Sequence, residues 1–162
     1  LRASKKISLL AKKSEKFMQS SLFLYVIGVI LVDLVARQFF DYIGSQTQFP
    51  DHMFWSILIL AVFAERFGAM HIQLLLTNNI AIAHVANGVT GLIWILGLFI
   101  LFPIIGALAL PLSMLIAYTG FYSWYAVLPA LRSMPNISFW KFEARVVLLP
   151  LILIMAWAIY II

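Results

Sequence analysis

Four charged residues stand inside long apolar stretches of this 162-residue sequence, where charge is costly without a partner or water. Asp33 and Arg37 are four residues apart, so they share one face of a helix. Glu65 and Arg66 are adjacent in the next apolar stretch. Counted from opposite ends of the two stretches, both carboxylates fall near the middle. A helical hairpin would therefore bring the four charges to similar depth.

These charges fit two chemistries, and the sequence leaves both open. They could form ion pairs that only hold two helices together. They could instead line a hydrated cavity for a charged or hydroxyl-rich substrate. The polar residues that follow in the sequence favour this second interpretation. We take as candidate substrate-lining residues Arg37, Arg66, Asn78 and Asn87. We take as candidates for ion pairing or proton coupling Asp33, Glu65 and His71.

Other site chemistries find no support in the sequence. The three histidines lack metal-ligand spacing and cysteine is absent, so we expect no metal centre. The sequence has no nucleophile elbow, no zinc-protease motif and no phosphate-binding glycine loop. We therefore expect no cofactor and no enzymatic activity.

The composition is that of an integral membrane protein. Hydrophobic residues make up 64% of the chain and charged residues 10%, whereas soluble domains are roughly half apolar and about a quarter charged. This excludes a soluble enzyme, a disordered tail and a nucleic-acid-binding module, despite a pI near 9.7. The bilayer is the expected partner, and nucleic acid is not.

The hydropathy pattern predicts an all-α fold, a bundle of five transmembrane helices. Each stretch has the roughly 20 apolar residues that a spanning helix needs. The predicted spans cover residues 20–43, 52–76, 80–102, 106–131 and 145–162. They form one domain over residues 18–162, which follows a leader of residues 1–17. Because the chain lacks an initial methionine and ends within an apolar run, we expect it to be part of a larger protein.

The distribution of Lys and Arg residues along the chain predicts how the chain is oriented in the membrane. Six Lys and Arg residues lie in the leader and three lie in or beside the last connection, whereas none lies in the two connections that face the other side. The positive-inside rule then places the N-terminus in the cytoplasm, and we expect the plasma membrane of a bacterium or archaeon. Apolar residues at helical intervals make the leader an amphipathic helix that binds anionic lipid headgroups.

The run from Glu65 to Arg132 resembles the later helices of polysaccharide and O-antigen flippases, members of the multidrug/oligosaccharidyl-lipid/polysaccharide exporter superfamily. The similarity lies in an aromatic-rich helix that ends in a polar turn, ERFGAMHIQLLLTNN. A helix that ends in the apolar turn FPIIG follows, and then a helix of small residues. The chain would correspond to most of the C-terminal lobe of such a two-lobed transporter.

The resemblance implies a function in polysaccharide biosynthesis. Such a flippase moves a polyprenyl-diphosphate-linked oligosaccharide from the cytoplasmic to the outer leaflet by alternating access. It implies that Arg37 and Arg66 contact the anionic cargo, while Asp33 and Glu65 position them or carry protons. The implied partners are the remaining helices of the transporter. The alternative is a non-catalytic membrane subunit that scaffolds a larger complex with other membrane subunits.

Overall fold

The computed structural model describes residues 2–44, 49–76, 82–132 and 138–162, and within these ranges every regular element is helical. Two long helices come first, followed by two series of shorter segments. The α-helices are α1 (Arg2–Tyr42), α2 (His52–Leu76), α3 (Ala83–Ile105), α4 (Ala109–Ala117), α5 (Ser123–Arg132), α6 (Phe139–Glu143) and α7 (Leu149–Tyr160). A 3₁₀ turn (Gly106–Leu108) precedes α4, and π-helical turns join α4 to α5 (Tyr118–Tyr122) and α6 to α7 (Ala144–Leu148).

Four helical stretches in the described ranges are long and apolar enough to cross a membrane. They are Lys12–Phe40, His52–Leu76, Ala83–Ala130 and Trp140–Tyr160. The prediction of an all-α fold is therefore confirmed for the described residues, and the four stretches support the prediction of a membrane protein. The predicted number of five spans remains a prediction, because the third and fourth predicted spans fall within one stretch of 48 residues.

The helix boundaries follow the predicted spans closely at α2 and less closely elsewhere. The second predicted span, residues 52–76, coincides with α2. The last helical series begins at Phe139 rather than near residue 145. At the other end, α1 continues without a break from Arg2 into the first span, so the leader is an extension of that helix.

The 48-residue stretch folds back on itself at Gly106. This residue has φ 59° and ψ −135°, a conformation open mainly to glycine. A Cβ atom built on Gly97 would lie 2.9 Å from Ser113 Cβ, although these residues would be about 24 Å apart in a straight helix. Trp94 Nε1 also donates a hydrogen bond to the Leu110 carbonyl at 3.3 Å. Segments α3 and α4 therefore pack as an antiparallel hairpin.

Helix α2 is held by polar bonds to the helices around it. Tyr25 of α1 donates to the Ile59 carbonyl at 2.7 Å, and Ser123 of α5 donates to the Ala64 carbonyl at 3.2 Å. On the α7 side, Ser56 of α2 donates to the Ala158 carbonyl at 3.1 Å. Where lipid surrounds a bundle, such bonds and close packing hold helices together. They make α2 the centre of the fold.

The main core lies between α1, α2 and the last helical series. Helix α1 contributes a stripe at helical spacing, which contacts residues of α2 and residues on both sides of the Ala144–Leu148 turn. The buried residues of this cluster are Met18, Leu22, Val26, Val29, Ile59, Phe63, Met70, Phe142, Val146, Ile154 and Ala158. Pro150 cannot donate the backbone hydrogen bond that an α-helix would direct to the Val146 carbonyl, which accounts for a π-helical turn just before it.

A close approach between α2 and the start of α5 depends on Gly68. A Cβ atom on this residue would lie 2.5 Å from Tyr122 Cδ1 and 3.3 Å from Ser123 Cα. Tyr122 is 5% exposed, so its ring has little room to move away. Ala64, one turn earlier, accepts the Ser123 hydrogen bond. The two small residues therefore allow the backbones to meet, as their four-residue spacing indicates.

We expect Gly68→Ala to destabilise the fold by about 1–3 kcal/mol, because the added methyl group overpacks the contact with Tyr122. Unfolding in detergent, followed by circular dichroism, measures the effect. Gly91→Ala is the matched control, because nothing lies within 4 Å of a Cβ atom there among the described residues. Since alanine favours a helix interior over glycine, the control should be neutral or stabilising. Equal effects of the two substitutions would contradict the close-packing role of Gly68.

Candidate functional site

The adjacent charges Glu65 and Arg66 form an ion pair on the outer face of α2. Arg66 Nε lies 3.2 Å from Glu65 Oε2, and the two side chains are 62% and 25% exposed. Arg66 is about 20 Å along α2 from His52 and about 15 Å from Leu76. The pair therefore lies near the middle of a helix that is long and apolar enough to span a membrane. An exposed charge at this depth in a membrane would be very unfavourable without water or a polar partner.

Arg66 opens onto a small groove between α1 and α2 that both polar and apolar side chains line. The groove has a volume of about 200 Å³ and includes Ser21 of α1 and Gln73 of α2. Arg66 and Gln73 are seven residues apart, so two helical turns place them on one face. This face carries a cation, an amide and a hydroxyl, groups that can bind phosphate or sugar oxygens.

Asp33 of α1 and Glu65 of α2 lie at different depths along the two helices. This differs from the expectation based on counting residues from the ends of the predicted spans. The ring of Tyr25 contacts that of Phe63 at 6.1 Å between centroids, and its hydroxyl binds the Ile59 carbonyl. Since α1 and α2 are antiparallel, Asp33 lies about 12 Å from this level toward the start of α2, and Glu65 lies on the opposite side of it. The helix register thus separates the two carboxylates by about 15 Å. Asp33 is 5% exposed and continues the buried stripe of α1.

Of the remaining predicted lining residues, the structure describes the side chain of Asn87. The Arg37 side chain and the whole of Asn78 lie outside the described part of the structure. Asn87 is exposed on α3 and does not line the groove beside Arg66. Among the predicted site residues whose side chains the structure describes, Glu65 and Arg66 are in direct contact.

His71 forms a second, buried pair with Glu143. His71 Nε2 lies 2.8 Å from Glu143 Oε1, and the side chains are 0% and 11% exposed. This contact joins α2 to the last residue of α6, immediately before the π-helical turn Ala144–Leu148. The imidazole ring also packs edge-on against Phe67, with centroids 4.7 Å apart.

The hydrogen bonds of His71 fix its tautomer. Nδ1 lies 2.8 Å from the Phe67 carbonyl oxygen, which can only accept, so Nδ1 carries a hydrogen. The 2.8 Å contact between Nε2 and Oε1 then requires a single proton, which one of the two atoms carries. Both arrangements, imidazolium with carboxylate or imidazole with carboxylic acid, have no net charge. A neutral pair is what a buried position between helices tolerates.

Comparison of the chain with known protein families, characterised proteins and solved structures finds no match. The functional interpretation therefore depends on the two ionisable pairs of α2, Glu65–Arg66 and His71–Glu143. Within the described residues, no three His, Asp or Glu side chains are arranged to hold a metal ion.

Glu143 is a candidate site residue that was not predicted from the sequence. The prediction assigned it to the connection before the fifth span, whereas it lies in the helical series that begins at Phe139. A usable signal was present, because the predicted topology places His71 and Glu143 toward the same side of the membrane. Only the packing of the last helical series against α2 shows that the two side chains meet.

We expect Glu143→Leu to destabilise the protein by about 1–3 kcal/mol, because it leaves Nε2 of the buried imidazole unpaired. Glu143→Gln should be milder, since its amide can donate to the lone pair of Nε2. Unfolding in detergent compares the two variants. Glu15→Gln serves as control, because Glu15 meets Arg145 at 3.6 Å on a partly exposed surface, where pairs contribute about 0–1 kcal/mol. Equal losses in Glu143→Leu and Glu15→Gln would contradict a structural role of the buried pair.

Proposed function

We propose that this chain is part of a membrane transporter that moves a lipid-linked anionic saccharide between leaflets by alternating access. The cargo class is a polyprenyl-diphosphate-linked oligosaccharide, as the resemblance to polysaccharide flippases implies. The membrane is the plasma membrane of a bacterium or archaeon, and the proposed N-terminus is cytoplasmic.

The observation that carries the proposal is the exposed Glu65–Arg66 pair halfway along α2. An arginine that is 62% exposed within the bundle must meet either water or another part of the protein when a bilayer surrounds the helices. In a two-lobed transporter, that face would border the central cavity. Guanidinium binds phosphate oxygens with paired donors, which suits a diphosphate.

The proposed roles follow from the positions of the side chains. Arg66 binds the diphosphate, and Gln73 and Ser21 donate to cargo oxygens from the same groove. Glu65 orients Arg66 through the 3.2 Å contact and is the candidate for proton coupling on this face. Arg37, Asn78 and Asn87 remain proposed cargo contacts, and Asp33 remains a proposed partner in coupling.

A scaffolding subunit is the second candidate function. The observation in its favour is that several polar residues of the bundle serve packing: Tyr25, Ser56 and Ser123 each donate to a carbonyl of a neighbouring helix. In that case the Glu65–Arg66 face would contact another subunit. Arg66→Ala would then reduce recovery of the assembled complex rather than transport by the complex that forms.

We further propose that the chain crosses the membrane five times, because the hairpin at Gly106 makes two crossings of the 48-residue stretch. Pro50, Asp51 and Phe54 border the same surface depression as Ala107 and Leu108. The Gly106 turn therefore lies at the same end of the bundle as the start of α2. This arrangement supports a reversal within one membrane thickness.

Single-cysteine labelling tests the five crossings, because residues 1–162 contain no cysteine of their own that could react. Ala107→Cys and His52→Cys should react with a membrane-impermeant maleimide from one side. Lys16→Cys and Arg132→Cys should react from the other side, which can be compared in intact cells and inverted vesicles. Labelling of Ala107→Cys from the same side as Arg132→Cys would contradict the hairpin.

Export by the protein that contains this chain tests the role of Arg66. We expect Arg66→Ala to lower the export rate about tenfold or more, as expected when a charge-assisted hydrogen bond of about 1.5–3 kcal/mol is lost. Arg66→Lys should retain part of the activity, because it keeps the charge but not the paired donors. The control is Arg132→Ala, at the exposed end of α5. Normal export by an Arg66→Ala protein expressed at normal levels would overturn the cargo role.

A further inference from the structure

A second groove lies between α1 and the last helical series, and we call it the interfacial groove. Its volume is about 440 Å³, within the range of about 300–1,000 Å³ that small-molecule sites occupy. It shares no lining residue with the groove beside Arg66. Its polar lining residues are Glu15, Gln19 and Arg145, and the apolar residues Leu148, Leu149 and Ile152 continue it along the last helical series.

The two helical stretches that form this groove run in the same direction. The last helical series binds the end of α2 through Glu143 and His71, and it binds the start of α2 through Ala158 and Ser56. It is therefore antiparallel to α2, as α1 is. The first residues of the two candidate spans accordingly lie at the same side of the membrane.

The polar end of the interfacial groove lies where headgroups meet acyl chains. Glu15 and Arg145 follow the first residues of their candidate spans by about 5 and 8 Å along the helix. From Arg145 the groove continues for about 10 Å to Ile152, toward the middle of the membrane. Its apolar residues Leu148, Leu149 and Ile152 are 54%, 51% and 53% exposed. This part of the groove is therefore open to an acyl chain of one leaflet.

Arg145 presents an accessible cation at the polar end. Its side chain is 67% exposed, and its Nη1 atom lies 3.6 Å from Glu15 Oε1. The guanidinium group has five N–H donors in a planar fork, and this contact involves Nη1 alone. Arg145 can therefore bind the oxygens of a phosphate while it keeps its contact with Glu15.

Lysine residues add positive charge around the same end. Lys12 precedes Glu15 by three residues and Lys16 precedes Gln19 by three, so both border the groove on α1. Lys141 lies about one turn before Arg145, and all three lysines are exposed. Four cations therefore surround the carboxylate of Glu15, which favours a ligand with net negative charge.

We propose that the interfacial groove binds a phospholipid with an anionic headgroup. The phosphate accepts hydrogen bonds from Arg145 and Gln19, Lys12 and Lys16 attract its charge, and one acyl chain lies along the apolar residues. The order of these parts in the lipid matches the order of the residues along the groove. The site is distinct from a general attraction of residues 1–17 to anionic lipid, because Arg145 lies outside that segment. The inference does not depend on the transport function.

Native mass spectrometry of the purified protein tests the headgroup assignment. The protein is mixed with a phosphatidylglycerol and a phosphatidylcholine that have identical acyl chains, and the fraction carrying one lipid is measured. We expect the glycerol lipid to be bound about tenfold more often, because several cations near the phosphate favour net negative charge. Equal binding of the two lipids would overturn the assignment.

A pair of charge-matched variants separates a discrete site from diffuse attraction. Arg145→Gln should lower phosphatidylglycerol binding about fivefold, which corresponds to one cation near the phosphate. Lys13→Gln removes the same charge from an exposed residue outside the groove lining and should leave binding nearly unchanged. Equal losses in the two variants would show diffuse attraction and overturn the site.

A bulky substitution tests whether the lipid occupies the groove. Ala144, an exposed lining residue, is replaced by Trp, which fills the polar end and should lower phosphatidylglycerol binding several-fold. Ala107→Trp, at an exposed alanine near the opposite end of the bundle, should not. If Ala144→Trp folds poorly, the comparison of Arg145→Gln with Lys13→Gln still decides. A photo-reactive residue at position 148 that cross-links a protein rather than lipid in the membrane would contradict a lipid occupant.

Discussion

The fold depends on the polar contacts that converge on α2. Lipid tails are as apolar as the helix surfaces they would replace, so hydrophobic burial contributes little to helix association in a bilayer. Hydrogen bonds from Tyr25, Ser56 and Ser123, and the contact at Gly68, therefore determine which helices touch α2 and at what level. The last helical series meets α2 at two levels, where Ser56 binds α7 and His71 binds α6.

Two ionisable pairs lie on different faces of α2, and their surroundings give them different meanings. The His71–Glu143 pair is buried, has no net charge and uses every nitrogen of the imidazole. It resembles a structural bond, except that Oε2 of Glu143 remains without a partner within the described residues. The Glu65–Arg66 pair is exposed halfway along the helix, where direct contact with lipid would be unfavourable. The exposed pair is therefore the stronger functional candidate.

The candidate site was predictable only in part. Glu65 and Arg66 were identified because adjacent residues need no tertiary information to be neighbours. The expected approach of Asp33 to Glu65 failed because counting from span ends assumes equal overhangs, whereas the Tyr25 contacts with Ile59 and Phe63 shift α1 relative to α2. Glu143 was missed because the helix begins before the apolar run that marked the predicted span.

The sequence by itself determined that the chain is helical with stretches long and apolar enough to span a membrane, and it located α2 to the residue. Length and apolarity are sufficient for this, because a helix satisfies its own backbone hydrogen bonds and needs no partner in lipid. Only the tertiary structure decided the register of α1 on α2, the pairing of His71 with Glu143 and the groove between α1 and the last helical series. Each of these depends on a few side-chain contacts between helices distant in sequence, and hydropathy carries no information about which side chains meet.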